Sequence, residues 1–472
     1  MQSKPSRAAW VVFALAAAGS FITTLDLSIV NVAFAEISKT YSGASTADIA
    51  WIVTIYNIMF ASLLVAGGKT ADRVGRKRVF LWGAGIFGIG SVVCALSPSL
   101  IVLILGRALQ GIGGALLTPA ALGILLAAFP AERRTQVVSL SGAVGALGVA
   151  SGPTLGALLI SAFGWRAAFW INVPVVLGVL VVGMRVLIDS ERESSAVRPD
   201  YLGATMITVG LGAIALAISQ SEAWGLRDER VIVSIIVFAV IVPLFVRRQR
   251  RHPEPIVDLQ LFRERHFALA NMATLLFMIG FSSMLLNNVL FLRTVWNYSV
   301  LQAGMASCLA PITVALVSTR SAKLAGRVGF RPLLVGGPIL FLAAAACDIA
   351  FLSSTPTIGR WLAFGFLQGC AIGCTLPILS SAAVSSLAPN RFAVGGAINS
   401  TARQIGAVLG VAMLVAIQGA GRVTIAGFDR GWTLAIFAAL ASSVLSSLQP
   451  SGTRTATTAA TSVGPSVALA AE

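Results

Sequence analysis

Residues 10–35 read WVVFALAAAGSFITTLDLSIVNVAFA, 26 residues in which Asp26 is the only charge. As a helix such a run is about 39 Å long, enough to cross the ~30 Å hydrocarbon layer of a bilayer. Apolar runs of this kind recur near 47–67, 79–97, 100–127, 136–160, 167–188, 200–220 and 231–247. Six more follow near 267–292, 300–319, 331–352, 359–386, 392–418 and 431–449, so the sequence predicts fourteen membrane-spanning helices. Lys4 and Arg7 ahead of the first run, and Ala33-Phe34-Ala35 at its end, have the layout of a signal peptide. The run is too long for one, and Asp26 and Asn31 interrupt its end, so it reads as an uncleaved first span.

The composition excludes a soluble protein. Of 472 residues, 57% are hydrophobic and 11% charged, against about a quarter charged in soluble domains. The net charge of +16 does not point to nucleic acid, because no soluble basic domain exists to carry it. Lys and Arg cluster instead on alternate connections, such as Lys69 to Arg78, Arg133-Arg134, Arg185 to Arg198 and Arg247 to Arg265. That bias predicts a bacterial inner-membrane protein with both termini cytoplasmic. Cys370 and Cys374 lie one helical turn apart without a nearby His, so they read as small buried hydrophobes and no metal site is expected.

The chain repeats itself. Ala71-Asp72-Arg73-Val74-Gly75-Arg76 is echoed by Ala325-Gly326-Arg327-Val328-Gly329-Phe330, and Leu109-Gln110-Gly111 by Leu367-Gln368-Gly369. Pro119 and Pro377 follow the two glutamines at the same spacing. The expected architecture is all-α: a six-helix half over 1–190, two inserted spans and a linker over 191–266, and a second six-helix half over 267–450. A disordered cytoplasmic tail over 451–472 completes it. Two pseudo-symmetric halves around a central site is a transporter layout. The charges do not repeat: Asp72 is matched by Gly326 and Arg107 by Gly365. Asp348 stands near the end of its span, where it is expected to reach water.

Four groups of residues carry chemistry. Asp26 and Arg107 each interrupt an apolar run at about 10–14 Å from the same membrane face, so they are placed to meet or share a cavity. A carboxylate whose distance from a guanidinium changes between two conformations takes up and releases a proton once per cycle. A purely structural ion pair is the alternative. The loop Gly68-Lys69-Thr70-Ala71-Asp72-Arg73-Val74-Gly75-Arg76-Lys77-Arg78 contains Gly-Lys-Thr, but it lacks the first glycine and the strand of a phosphate-binding loop. Gly148, Gly152 and Gly156 share one helix face next to Gly145, and Pro153 bends that helix. Arg403, with Asn399 and Gln404 beside it, is placed to meet an anionic group or to cap backbone carbonyls.

These motifs together resemble the major facilitator superfamily, in its fourteen-span drug:proton antiporter branch. The matching positions are Leu25-Asp26 through Ala33, Gly68 through Arg78, Arg107-Gln110-Gly111-Gly113, Gly148-Gly152-Pro153-Gly156, and Asn399 through Gly406. Thr70 departs from the usual Leu. The resemblance implies alternating access driven by the proton gradient, with no cofactor and no enzymatic activity. Asp26 and Arg107 would couple protons. Gly68, Asp72, Arg73, Gly75, Arg76 and Lys77 would form the cytoplasmic gate. Gly145, Gly148, Gly152, Pro153 and Gly156 would form the antiporter hinge, which disfavours symport. Asn31, Gln110, Asn399 and Arg403 would line the substrate cavity. The expected partners are a small-molecule substrate, protons and the lipid bilayer, with the protein monomeric and no nucleic acid bound. The function implied is efflux of amphiphilic drugs or secondary metabolites. Export of one dedicated metabolite, lipid or siderophore is the alternative.

Overall fold

The computed structural model describes residues 7–188, 199–253, 255–387, 392–418 and 424–449, so the tail expected over 451–472 lies outside it. The first half comprises α1 (Arg7–Thr40), α2 (Thr46–Val74), α3 (Arg76–Ala95), α4 (Leu100–Ala128) and α5 (Ala131–Phe163). It closes with the short α6 (Ala167–Trp170) running into α7 (Asn172–Val186). The inserted pair is α8 (Tyr201–Trp224) and α9 (Glu229–Arg251). The second half comprises α10 (Arg265–Thr294), α11 (Val300–Ser307), α12 (Leu309–Val328), α13 (Arg331–Phe351), α14 (Ile358–Ser385), α15 (Phe392–Gln418) and α16 (Ile425–Ser447).

The span count differs from the fourteen read in the sequence. By length and apolarity, twelve helices among the described residues can cross a membrane. The runs not among those twelve are the fifth and the fourteenth. Of α5, a 33-residue helix that opens on Glu132-Arg133-Arg134, the apolar segment among the described residues is Leu147–Phe163. Helix α16 carries Asp429 and Arg430 in its first turns and four serines in its second half, which dilute its apolar surface. Both are packed within the bundle, α5 against α1 and α11, and α16 against α10 and α13.

Local signals set the helix ends. Ser45 and Asp48 form a reciprocal capping box at the start of α2, and Ser99 and Asp200 cap α4 and α8. Gly75 separates α2 from α3 at φ 117°, a backbone region that side chains with a Cβ avoid.

The repeat is preserved as backbone contact. A Cβ on Gly111 of α4 would lie 2.7 Å from the Tyr56 carbonyl oxygen of α2, and one on Gly369 of α14 would lie 2.5 Å from the Ala310 carbonyl of α12. Only glycine lets each pair approach so closely. The outer neighbours differ in kind: α8 packs against both α2 and α15, bridging the halves, whereas α9 rests on α8 and is mostly exposed. One continuous apolar core joins the second half to the parts of α1, α2, α4 and α5 nearest the α1–α2 turn, while the opposite part of the first half has its own core.

Candidate functional site

Asp26 and Arg107 form an ion pair in which both side chains are completely buried. Asp26 Oδ2 accepts from Arg107 Nη1, and Oδ1 accepts from Gln110 Nε2 at 3.0 Å and Asn172 Nδ2 at 3.2 Å. Arg107 also donates from Nη1 to Gln110 Oε1 and from Nε to the Ile52 carbonyl, each at 2.8 Å. Ser91 Oγ accepts from Gln110 at 2.8 Å and from Asn172 at 3.3 Å. The Arg107 guanidinium lies 4.4 Å from the centre of the Tyr56 ring, toward a face that attracts cations. Five helices, α1, α2, α3, α4 and α7, thus meet at one charge pair. Buried pairs depend on completeness: removing one partner typically costs about 3–5 kcal/mol because the other charge is stranded.

Sequence reasoning missed Ser91, Tyr56 and Asn172 in this network. Asn172 carried a usable signal, since it interrupts an apolar run as Asp26 does.

Helix α1 turns a different face to a cavity of about 430 Å³ between the halves. Thr24, Leu27, Ser28 and Asn31 line it from α1, and Asn57 from α2. Phe281, Asn288, Trp361, Gln368 and Gln404 line it from the second half. Of the four residues expected there, Asn31 alone lines this cavity. Gln110 belongs to the ion-pair network, and Asn399 donates to Asn271 and Thr274 at 3.2 and 3.0 Å. Arg403 donates to Ser380 and Ser400, each at 2.9 Å, so hydroxyls are its partners. Helical rotation decided this: Gln404, next along the chain, takes the cavity-facing direction.

The glycine face of α5 packs on α1 beside Asp26. A Cβ on Gly148 would lie 2.3 Å from Thr24 Oγ1, one on Gly152 2.4 Å from Ser28 Cβ, and one on Gly156 2.6 Å from Ile29 Cγ1. Gly145 is looser, at 3.8 Å from Thr24. Pro153 sits where α5 meets the second half, its carbonyl oxygen 2.6 Å from a Cβ on Gly304 of α11. The second half carries a copy that the sequence reading did not find. Gly406 and Gly410 of α15 press on Leu275 and Ile279 of α10, and Ser282 donates to the Ala407 carbonyl as Ser28 donates to Val149.

At the end of the bundle where α2 meets α3, Asp72 accepts from Arg76 Nε at 3.1 Å and Nη2 at 3.0 Å, across the turn at Gly75. Arg76 also donates to the Gly123 carbonyl of α4, and Lys77 to the Met184 carbonyl of α7. Lys69 donates to the Pro255 carbonyl, and Thr70 shares a hydrogen bond with Tyr201 of α8, which gives that hydroxyl a polar role. Gly68 faces Pro119, with 3.4 Å between that ring and an added Cβ. At the opposite end, Arg293 of α10 forms an ion pair with Glu36 of α1 and donates to the Tyr298 carbonyl.

Asp348 departs from expectation. It is 1% exposed rather than in contact with water, and it accepts from Gln368 Nε2 at 2.9 Å. The second half therefore retains a buried acid.

Helical halves related by a repeat, an inter-half cavity and a buried ion pair in the first half define a membrane transporter. A match to the Major Facilitator Superfamily covers residues 16–411, and the chain belongs to that family. It is 32% identical over 401 residues to the methylenomycin A resistance protein of Streptomyces coelicolor, covering 84% of this chain and 83% of that one. It is 31% identical over 405 residues to the multidrug resistance protein Stp of Mycobacterium tuberculosis, covering 85% and 74%. It is also 30% identical over 416 residues to the MFS-type transporter YvkA of Bacillus subtilis, covering 88% and 92%. In architecture it is similar to an auto-inhibited POT family peptide transporter, with a TM-score of 0.70 over 94% of this chain and 98% of that one. At 17% identity that likeness concerns the fold alone.

Proposed function

We propose that the protein exports small amphiphilic molecules, drugs or secondary metabolites, in exchange for protons. The observation that carries this reading is the fully buried Asp26–Arg107 pair, held on the helix that also lines the cavity. A proton on Asp26 removes the charge that Arg107 pairs with, so protonation and separation of the pair go together. Because α1 presents Asp26 to α3, α4 and α7, and Thr24, Ser28 and Asn31 to the cavity, a shift of α1 links the two events. The tight α1–α5 and α10–α15 glycine contacts support rigid rocking of the halves, since close-packed helices move as units. Relatives named for methylenomycin A and multidrug resistance support efflux as the direction.

In this reading both termini and the Asp72–Arg76 turn are cytoplasmic, and the protein lies in a bacterial inner membrane. The Glu36–Arg293 pair then closes the outer side. Helices α5 and α16, 33 and 23 residues long, cross with the twelve apolar spans and complete the fourteen-span branch. The chain works as a monomer and takes its energy from the proton gradient, without a cofactor.

The test is a panel of toxic compounds applied to cells with and without the gene, each with and without an uncoupler. Resistance that depends on the gene and vanishes with the uncoupler or with Asp26→Asn is expected. An Asp26→Asn protein made at normal levels with intact pH-dependent transport overturns the coupling role.

A further inference from the structure

The two halves solve the same local problem differently around their repeated glutamines. In the first half, Gln110 Nε2 donates to Ser91 of α3, and the guanidinium of Arg107, three residues earlier, pairs with Asp26. In the second half, Gln368 Nε2 donates to Asp348 of α13, which takes the hydrogen-bonding part that Ser91 takes in the first. Three residues before Gln368 there is Gly365 and no cation. The second half therefore holds a carboxylate against its repeated glutamine, behind the cavity wall, and lacks the cation three residues before that glutamine.

Among the described residues, the surroundings do not supply another cation. Asp348 Oδ1 is buried without a hydrogen-bond partner. On the helices packed against α13, Arg360 donates to the Phe351 carbonyl, Arg430 to Ala426 and Arg320 to Leu316. Among the described residues, neither these nor Lys323 and Arg327 pairs with Asp348, and the other acid, Asp429, heads α16. The space left by the missing side chain opens on the cavity: Gly365 lines it, and a Cβ there would meet no heavy atom within 4 Å. Gln368, Asn288 and Trp361 line the same wall, with Asn288 Nδ2 donating to Gln368 Oε1 at 3.2 Å.

We infer that this wall is a subsite for a monocationic group of the substrate, an amine or guanidinium, which enters at Gly365 and takes Asp348 as its counter-ion. It rests on the reading of the protein as a transporter whose substrate occupies the cavity. An ionised carboxylate without a partner is costly at this depth, so Asp348 holds either a proton or the neighbouring cation. Trp361 adds an aromatic face that favours positive charge. Binding the cation displaces the proton, and the subsite thereby selects cationic over neutral amphiphiles.

The test uses octylguanidinium and its neutral isostere octylurea, measured by calorimetry on the purified full-length protein in detergent at neutral pH. Octylguanidinium should bind about tenfold or more tightly than octylurea, with protons released into a weakly buffered solution. Asp348→Asn should abolish that preference, and Asp348→Glu should restore it. Gly365→Arg should block octylguanidinium by placing the chain's own guanidinium in the subsite, a readout that survives if Asp348→Asn fails to fold. The absence of a preference in the unaltered protein, or a preference that survives Asp348→Asn and Gly365→Arg, overturns the subsite. Neither outcome touches Asp26, whose role is judged by pH-dependent transport alone.

Discussion

Glu36 of α1 and Arg293 of α10 join the two halves of the bundle at the end opposite the Asp72–Arg76 turn. The side chains are 26% and 8% exposed, and Arg293 is further held by the Tyr298 carbonyl, so the guanidinium is fixed before it meets the acid. The contact lies along the same helix as Asp26. Any motion of α1 that disturbs the buried pair therefore also loads this one.

Neutralising that contact should loosen the closed end. In Glu36→Gln or Arg293→Gln, about 1 kcal/mol of pairing is lost, which moves the open population roughly fivefold. Spin labels on the α1–α2 and α10–α11 connections measure the change as a longer inter-half distance. Unchanged distance distributions in both variants would show that the apolar core alone closes this end.

The Asp26–Arg107 pair should obey the energetics of buried charges. Arg107→Ala strands Asp26 and should cost about 3–5 kcal/mol in thermal unfolding in detergent. The double variant Asp26→Asn, Arg107→Gln should recover part of that loss and remain inactive. Arg107→Lys should not rescue transport, because one ammonium does not reproduce the planar donation to Asp26, Gln110 and the Ile52 carbonyl.

Gly152→Ala places a methyl group 2.4 Å from Ser28 Cβ, so α5 must move off α1. A loss of about 1–3 kcal/mol is expected, with transport reduced. Gly145→Ala, with 3.8 Å available, should be near neutral. Gly410→Ala, which meets the Ile279 carbonyl at 2.3 Å, should resemble Gly152→Ala if both halves pivot on matched contacts. Melting temperature and transport, measured together, separate packing from movement.

Asp200 gives a pH dependence outside the spans. Burial pushes its carboxyl up, but hydrogen bonds from Arg248, the Gly203 amide and Gln249 outweigh this and hold it below the ordinary carboxylate value. A lowered folded value means the stabilisation is fully present above about pH 4 and is lost as pH falls through the folded value. Acid should therefore release α9 from the start of α8, and Asp200→Asn should do the same at neutral pH. Proteolysis after Arg247 and Arg248 reads out both.

The membrane character, the repeat and the pairing depth of Asp26 and Arg107 were legible because each is written along the chain. Apolar run length, the spacing of two similar motifs and counting residues from a span end are local quantities. The cavity was less legible. Asn31 was placed in it, but Gln110, Asn399 and Arg403 turn elsewhere, because a helix directs adjacent residues about 100° apart and its rotation is set by neighbouring helices. Asp348 near the end of an apolar run looked wet from the sequence. Gln368, twenty residues on, covers one of its oxygens, and packing removes the rest from water.

What the sequence by itself determined is that this chain spans a membrane in two related halves and keeps its ion pair in the first. Lipid imposes that reading, since the backbone polar groups of every membrane-crossing run must be hydrogen-bonded within its own helix. Only the tertiary structure decided which side chains share a partner. It set Asn172 and Ser91 beside Asp26, repeated the glycine face in α15, and left Asp348 without a cation among the described residues. Those are contacts between helices distant in the chain, and close packing of the bundle, rather than any local pattern, selects them.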